Sequence, residues 1–440
     1  MSGTAFSLLS YRRHLLLLGY LVLAAALSIQ RGSYSLWSLG LALAALCMTL
    51  SAVWPYAKRP EPLRSTDVLM GVLFLLMLGL TDFPVTYPGS FWFGTVTHIG
   101  WIVCGILLAA VYLPRPHASA RLRNGIVLAT AAFALALQCW LPFMAPDPHI
   151  DVFTVQQESS ANLYAGKNPF TTRVGNPYEG MNLHLTYDVG SRFAYPPSAL
   201  AGAVVGYTLF GDVRFLYVLC NLFIAWVLRR MLRPAGAAGE LVPLLWLLHP
   251  QGLLFIGQSW TEPLIIAGFA LTALAQLRKN AWLTAVSHGF TMSLKQYLVI
   301  TVPLLLVLER RWKLLALSAV AAIVTAVPFL MWNAGAVWGS MFAVIVPLRD
   351  DSLSLSALLL TFGIRMQTWM TVCIGAGAAL ALTWLLRKAD PLHAYLAVAG
   401  VSLFTMFLFG TQGFLNYYLL VSGILLLLLA EMTARQTARG

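Results

Sequence analysis

The chain has 440 residues, of which 59% are hydrophobic and 10% are charged, and its mean hydropathy is +0.77. Soluble domains carry about 25% charged residues, so this composition excludes an ordinary soluble protein and indicates an all-α, polytopic membrane protein. The net charge of +12 does not indicate nucleic-acid binding, because the cytoplasmic loops of membrane proteins are rich in Lys and Arg.

The apolar runs predict about fourteen transmembrane helices, since a bilayer core of about 30 Å requires about 20 apolar residues per helix. Five precede a long polar loop over 144–213, and nine follow it. The predicted spans cover 14–30, 34–54, 68–84, 93–113, 124–143, 214–228, 241–257, 262–277, 281–294, 297–309, 314–332, 367–386, 391–409 and 413–430.

The basic residues predict the orientation of these spans. Most of the 28 Lys and Arg residues fall in alternate loops, and the positive-inside rule places those loops in the cytoplasm. We therefore expect a protein of the cytoplasmic (inner) membrane, in contact with membrane lipid. Both termini are expected to be cytoplasmic, and the loop 144–213 extracytoplasmic.

Three segments depart from simple spans. Residues 198–210 are too short to cross a bilayer and are predicted to form a juxtamembrane helix on the outer face. The run 281–309 has basic residues at both ends, which predicts a hairpin broken near Lys295. Residues 333–365 are predicted to form a second outer segment.

The long loop is the candidate active site, because long ordered loops are commonly functional. Its carboxylates Asp147 and Asp151 follow a spanning helix. Either could act as a general base or cap a helix, and Asp151 is favoured as the base. Beside them, His149 completes an Asp-x-His-x-Asp pattern, so a divalent metal is an alternative that the loose spacing does not favour. No cofactor is otherwise indicated.

The cations on the outer face are candidate phosphate ligands. Lys295 lies at the predicted helix break and could bind a phosphate or pair with a buried carboxylate such as Glu262. Arg349 is a second candidate, although the neighbouring Asp350 and Asp351 could neutralise it. No GxxxxGKS/T loop and no GxSxG elbow occurs in the sequence, so nucleotide-dependent and serine-hydrolase chemistry are not indicated.

Several motifs resemble the GT-C superfamily of integral-membrane glycosyltransferases over about residues 140–430. They are most similar to the polyprenyl-phosphate-mannose-dependent mannosyltransferases of glycoside-transfer family eighty-seven. The motifs are IDVF, LYAGKNPF, FAYPPSAL, GDVRF, HPQGLLFIGQSWTEPL, SLKQY, RDDSLSLSALL and FLNYYLLV.

This resemblance implies an inverting transferase that moves a hexose, with mannose favoured, from a polyprenyl-phosphate-sugar donor to a lipid or glycan acceptor. It assigns Asp151 as the base, and Lys295 and Arg349 as ligands of the leaving phosphate. The remaining outer-face polar residues are expected in or beside the sugar or acceptor pocket. They are Asp147, His149, Tyr195, Gln258, Glu262, Tyr297, Asn416 and Tyr417.

The resemblance also divides the chain. Residues 124–440 are expected to form the catalytic module, and residues 1–123 an N-terminal scaffold that the simplest family members lack. Two other functions are open from the residues alone: a transporter or lipid flippase, and an O-antigen polymerase or ligase. A transporter typically has paired repeats with broken helices in both halves, whereas the sequence predicts a single broken pair.

Overall fold

A computed structural model of the protein describes residues 11–54, 61–81, 90–113, 118–179, 192–302, 304, 312–343 and 349–437. Within these ranges the chain forms helices and no β-strand, which confirms the predicted all-α class. The helices are α1 Arg12–Ser28, α2 Leu36–Val53, α3 Ser65–Thr81, α4 Ser90–Tyr112, α5 Ala120–Met144, α6 Asp151–Tyr164, α7 Pro197–Phe210, α8 Arg214–Met231, α9 Gly236–Leu247, α10 Gly252–Gly257, α11 Glu262–Leu277, α12 Ala281–Met292, α13 Trp312–Ile323, α14 Val327–Ala343, α15 Leu355–Thr361, α16 Thr368–Leu385, α17 Pro391–Phe409 and α18 Leu415–Thr437.

Among the described helices, seven are long and apolar enough to cross a membrane: α1, α2, α4, α5, α16, α17 and α18. The number rises to nine if each of two bent helix pairs counts as one span. The protein is therefore a polytopic membrane protein, as predicted. The count of fourteen spans is not confirmed in the described part of the chain.

Two predicted spans are interrupted at prolines. The predicted span 241–257 is divided into α9 and α10, with Pro250 between them. Within the predicted span 314–332, α13 and α14 meet at a bend of 65° just before Pro328. Proline lacks the N–H that a continuing helix requires, and its ring clashes with the preceding turn. Both interruptions follow from that chemistry.

The predicted break near Lys295 is confirmed. Helix α12 ends at Met292, and Lys295 has extended backbone with φ −146° and ψ 146°. A short 3-10 helix, Gln296–Thr301, follows it. The second predicted half of this hairpin, 297–309, lies partly outside the described residues.

The segment after the long loop forms a separate helix, α7, as predicted. Gly211, in the left-handed region at φ 75°, ends this helix, and its N–H donates to the carbonyl of Tyr207. Such a C-terminal glycine is a common helix stop, because it carries no Cβ to clash in that conformation. The next helix, α8, then departs at 103°.

The predicted outer segment 333–365 begins inside a helix. Helix α14 continues through Asn333, where the backbone is kinked at φ −163° and ψ 90°. Residues 344–348 lie outside the described residues, and α15 follows within the segment. The first part of this segment is therefore helical.

The chain divides into two compact units. The first comprises residues 1–138, 221–254 and 348–440. In it, α1 packs against α2 and α18, and α17 packs against α16 and α18. Buried polar side chains join distant segments of this unit: Arg13 Nε donates to the Met432 carbonyl at 3.0 Å, and Tyr20 donates to the Leu245 carbonyl at 2.6 Å.

The second unit comprises residues 139–220 and 255–347. Helix α6 packs against α7, and α12 packs against both α11 and α13. Loop residues contribute to its core, since Phe170 and Phe193 are fully buried and cluster with Leu200 and Val337. The described part of the long polar loop is therefore folded, and it shares an apolar core with α14.

Candidate active site

Asp151 is the first residue of α6, the helix that the polar loop forms. Its Oδ1 accepts a hydrogen bond from the Val152 N–H at 2.8 Å, and the Tyr178 hydroxyl lies 3.5 Å from the same oxygen. The side chain is half-buried. The unpaired N–H groups of a helix N-terminus stabilise negative charge. Ile150, not Asp151, is the N-cap residue of α6, and Asp151 combines a place in the first helical turn with the partial exposure that a base requires.

A buried arginine holds the segment that leads into α6. The Arg214 side chain is fully buried, forms an ion pair with Asp212 at 2.6 Å and donates to the carbonyl of Ala145 at 2.7 Å. Its guanidinium carbon also lies 4.5 Å from the centre of the Phe153 ring. These contacts fix the end of α5 and the first turn of α6, the turn that carries Asp151.

The middle of α6 is bound to the turn before α11. Gln156 is 1% exposed, and its Nε2 donates to the Ser259 carbonyl at 2.7 Å, while its Oε1 accepts from the Tyr217 hydroxyl. Ser259 has a positive φ of 56°, which is uncommon for a residue other than glycine. Gln156 therefore connects the helix of Asp151 to the turn three residues before Glu262.

Four residues predicted for the site meet around the break at Lys295. Lys295 Nζ lies 2.6 Å from Glu262 Oε1, and the two side chains are 8% and 0% exposed. The same nitrogen lies 5.6 Å from the ring centres of both Tyr195 and Tyr297. The Tyr297 hydroxyl lies 3.5 Å from Glu262 Oε1. The structure thus contains a buried ion pair between two tyrosine rings, which is the carboxylate pairing considered for Lys295.

The backbone around this pair is joined to the long loop. Gln296 Nε2 donates to the carbonyls of Ala194 and Met341, at 3.0 and 3.2 Å. Ser198, at the start of α7, lies 2.6 Å from the hydroxyl of Ser293. These bonds hold Tyr195 and Lys295 in one arrangement, because each lies one or two residues from a bonded neighbour.

The other predicted residues fall into two groups. Asp147 and His149 are exposed in the second unit, and Gln258 is half-buried beside Ser259 in the same unit. Arg349, Asn416 and Tyr417 belong to the first unit.

In the first unit, Arg349 forms an ion pair with Asp351, with Nε 2.8 Å from Oδ1. This is the neutralisation that its acidic neighbours suggested. Asn416 is half-buried. Tyr417 stacks on Phe407 with 4.8 Å between ring centres.

Sequence reasoning did not identify three residues that shape this site. Arg214, Gln156 and Ser259 act through contacts between segments far apart in the chain. A signal existed only for Arg214, because the GDVRF motif places an acidic and a basic residue two apart at a helix start. As to metals, no cluster of three His, Cys, Asp or Glu side chains that could hold an ion is found among the described residues.

No family model and no curated protein matches this sequence. Among solved structures, the chain is similar to ArnT from Cupriavidus metallidurans, whose crystal structure contains undecaprenyl phosphate. The sequence identity is 18% and the TM-score is 0.43. The similarity covers 70% of this chain but 59% of ArnT, less than two thirds of that protein. At this identity and TM-score the similarity does not extend to substrates or residue roles.

Proposed function

We propose that this protein is an inverting glycosyltransferase of the GT-C type. In this proposal it transfers a hexose, with mannose favoured, from a polyprenyl-phosphate-sugar donor to a lipid or glycan acceptor. The reaction takes place on the extracytoplasmic face of the inner membrane, with both termini in the cytoplasm. Residues 124–440 form the catalytic module, and residues 1–123 are a scaffold.

The observation that carries the proposal is the arrangement of the second unit. It contains a half-buried carboxylate, Asp151, at the start of α6, and a buried cation, Lys295, between two tyrosine rings. Gln156 joins the helix of the first to the turn beside Glu262, the partner of the second. A base and a cation held in one unit suit a reaction in which a hydroxyl is deprotonated as a phosphate departs.

In the proposed reaction, the Asp151 carboxylate accepts the proton of the acceptor hydroxyl. The acceptor oxygen forms a bond to the sugar C1 as the bond from C1 to the phosphate oxygen breaks, and both electrons leave with the polyprenyl phosphate. Lys295 stabilises the charge that develops on that phosphate, and Arg349 assists. The attack from the opposite face inverts the configuration at C1.

The residues around Lys295 are proposed to bind the sugar. The rings of Tyr195 and Tyr297 flank the Lys295 ammonium and can pack against the apolar face of a hexose. When a phosphate engages Lys295, the Glu262 carboxylate becomes available to accept hydrogen bonds from sugar hydroxyls. Further lining residues proposed for the sugar or acceptor are Asp147, His149, Gln258, Asn416 and Tyr417.

The test is transfer by purified full-length protein supplied with polyprenyl-phosphate mannose, glucose, galactose or arabinose and candidate acceptors. Asp151→Asn removes the base and keeps the shape of the side chain, so we expect the rate of sugar transfer to fall about 100- to 10,000-fold. The matched control is Glu179→Gln, which makes the same chemical change on an exposed side chain of the same loop. We expect it to retain wild-type transfer.

Two results would overturn the proposal. Near-wild-type transfer by Asp151→Asn, with unchanged expression and folding, would remove Asp151 as the base. If the wild-type protein transfers sugar from none of the donors, the result would contradict the proposed glycosyltransferase activity and favour a transporter or flippase.

A further inference from the structure

A cavity of about 380 Å³ lies in the first unit, where residues from α1, from the end of α16 and from the start of α17 meet. Its lining includes Arg12, Arg387, Lys388 and His393, together with Trp384. The volume is within the range of about 300–1,000 Å³ that is typical of small-ligand sites. None of these residues belongs to the candidate active site.

The acidic side chains close to this cavity are already bound. Glu431 accepts from His393 Nδ1 at 2.9 Å and also pairs with Arg435. Asp390 pairs with the same arginine and accepts the backbone N–H of Leu392 at 2.9 Å. The carboxylates therefore offset the charge of Arg435 and bond to His393, and they form no ion pair with Arg12, Arg387 or Lys388.

The two arginines of the lining, Arg12 and Arg387, bond to backbone carbonyls. Arg12 Nε donates to the carbonyl of Ala52, and Arg387 Nη1 donates to the carbonyl of Trp384 at 2.7 Å. Both acceptors are neutral. Among the described residues, neither arginine nor Lys388 has a carboxylate within 4.0 Å. The cavity thus concentrates uncompensated positive charge.

Two of the cationic side chains have a defined place. The Arg387 guanidinium carbon lies 4.4 Å from the centre of the Trp384 ring, a cation–π contact that limits its motion. Arg12 is half-buried at the start of α1. Arginine binds phosphate oxygens through paired N–H groups, and lysine adds a point charge.

We propose that this cavity binds a phosphate monoester or diester, the group that an anionic phospholipid presents as its headgroup. Basic pockets between the ends of transmembrane helices bind such headgroups, and Trp is enriched at the membrane interface. The positive-inside rule expects the Arg387 and Lys388 loop in the cytoplasm, so the lipid would come from the inner leaflet. A free phosphate ion offers the same chemistry.

The experiment is native mass spectrometry of the purified full-length protein with phosphatidylglycerol, with phosphatidylcholine and with inorganic phosphate. The test variant is R387Q/K388Q, which removes two charges from the cavity. Its control is R278Q/K279Q, which removes two exposed charges from another predicted cytoplasmic loop. We expect phosphatidylglycerol binding to weaken about tenfold or more in the test variant, since each basic residue contributes to binding of anionic headgroups. The control should bind as wild type does.

The outcomes separate the two sources of phosphate. Inorganic phosphate that binds with the same dependence on Arg387 and Lys388, without preference for phosphatidylglycerol, would support the site and make a free ion the ligand. Equal binding by wild type and R387Q/K388Q, or equal loss in both double variants, would overturn the proposal. Lys388→Gln alone, at an exposed position, provides a milder variant if the double variant does not fold, with a smaller weakening expected.

Discussion

Two regions of this protein satisfy buried polar groups in different ways. In the helix pair α17 and α18, the hydroxyls of Ser402 and Ser422 donate to carbonyls four residues earlier in their own helix. In the second unit, Gln156 and Lys295 bind partners 103 and 33 residues away. The first region is made of long unbroken helices, whereas helices in the second are interrupted near Ser259 and Lys295.

The difference shows what a broken helix does inside a membrane protein. An unbroken helix satisfies its backbone internally and needs no polar side chain from elsewhere. A break exposes backbone carbonyls, such as that of Ser259, which then require donors from other segments. The stability of the second unit therefore depends on a few individual side-chain contacts. Substitutions of Lys295, Arg214 and Arg349 test that dependence.

Lys295→Met should have the largest effect on stability. It leaves the Glu262 carboxylate buried without its cation, which we expect to lower the free energy of unfolding by about 3–5 kcal/mol. The measurement is the thermal midpoint in detergent, with exposed Lys279→Met as the control, expected near wild type. The double variant K295M/E262Q should recover part of the loss. A wild-type midpoint for Lys295→Met would show that the pair does not support the broken helices.

Arg214→Lys should have an intermediate effect. Lysine keeps the charge but lacks the planar fork that binds Asp212 and the Ala145 carbonyl together, so we expect a loss of about 2–3 kcal/mol. Limited proteolysis between α5 and α6, together with the thermal midpoint, measures it. The exposed Arg192→Lys, in the loop 144–213, should change neither. Equal behaviour of the two variants would contradict the positioning role of Arg214.

Arg349→Gln should have the smallest effect on stability. Its side chain is 41% exposed and that of Asp351 is 43% exposed, so solvent screens the pair and the loss should stay below about 1 kcal/mol. If Arg349 also binds the donor phosphate, the same variant should raise the donor KM while the thermal midpoint stays constant. A large fall in the thermal midpoint would show that the Arg349–Asp351 pair stabilises the protein as strongly as the buried Lys295–Glu262 pair.

The sequence predicts the all-α class and the break at Lys295 because membranes restrict what a chain can form. Only helices or closed barrels satisfy the backbone hydrogen bonds in lipid. Apolar runs of about 20 residues have the length of a membrane-spanning helix, so they predict helices. Basic residues at both ends of 281–309 require the chain to turn back. The pairing of Lys295 with Glu262 was one of two alternatives, since a buried cation needs either a carboxylate or an anionic ligand.

Other features could not be predicted from the sequence. Helix α6 buries Gln156, Ser159 and Ser160 beside Phe153 and Val155, so it lacks the apolar periodicity that identifies a helix. The turn at Ser259 adopts a positive φ without glycine, which removes the usual signal. The contacts of Arg214 with the Ala145 carbonyl and the Phe153 ring join distant segments, although the GDVRF motif predicts its local pairing with Asp212. The interruptions of the predicted spans 241–257 and 314–332 were also not predicted from their apolar composition.

The contacts of Arg214 with the segment between α5 and α6 also have a consequence for biosynthesis. Ribosomes add about 5–20 residues per second, and Arg214 is translated 69 residues after Ala145 and 72 after Pro142, whose carbonyls it binds. For several seconds, the end of α5 and the start of α6 therefore exist without the side chain that holds them together. In a nascent chain halted before α8, α5 and α6 should already be inserted or exported. The contacts of Arg214 that hold the end of α5 against the start of α6 should still be missing. The geometry around Asp151 is thus completed late, when a residue from a following helix arrives.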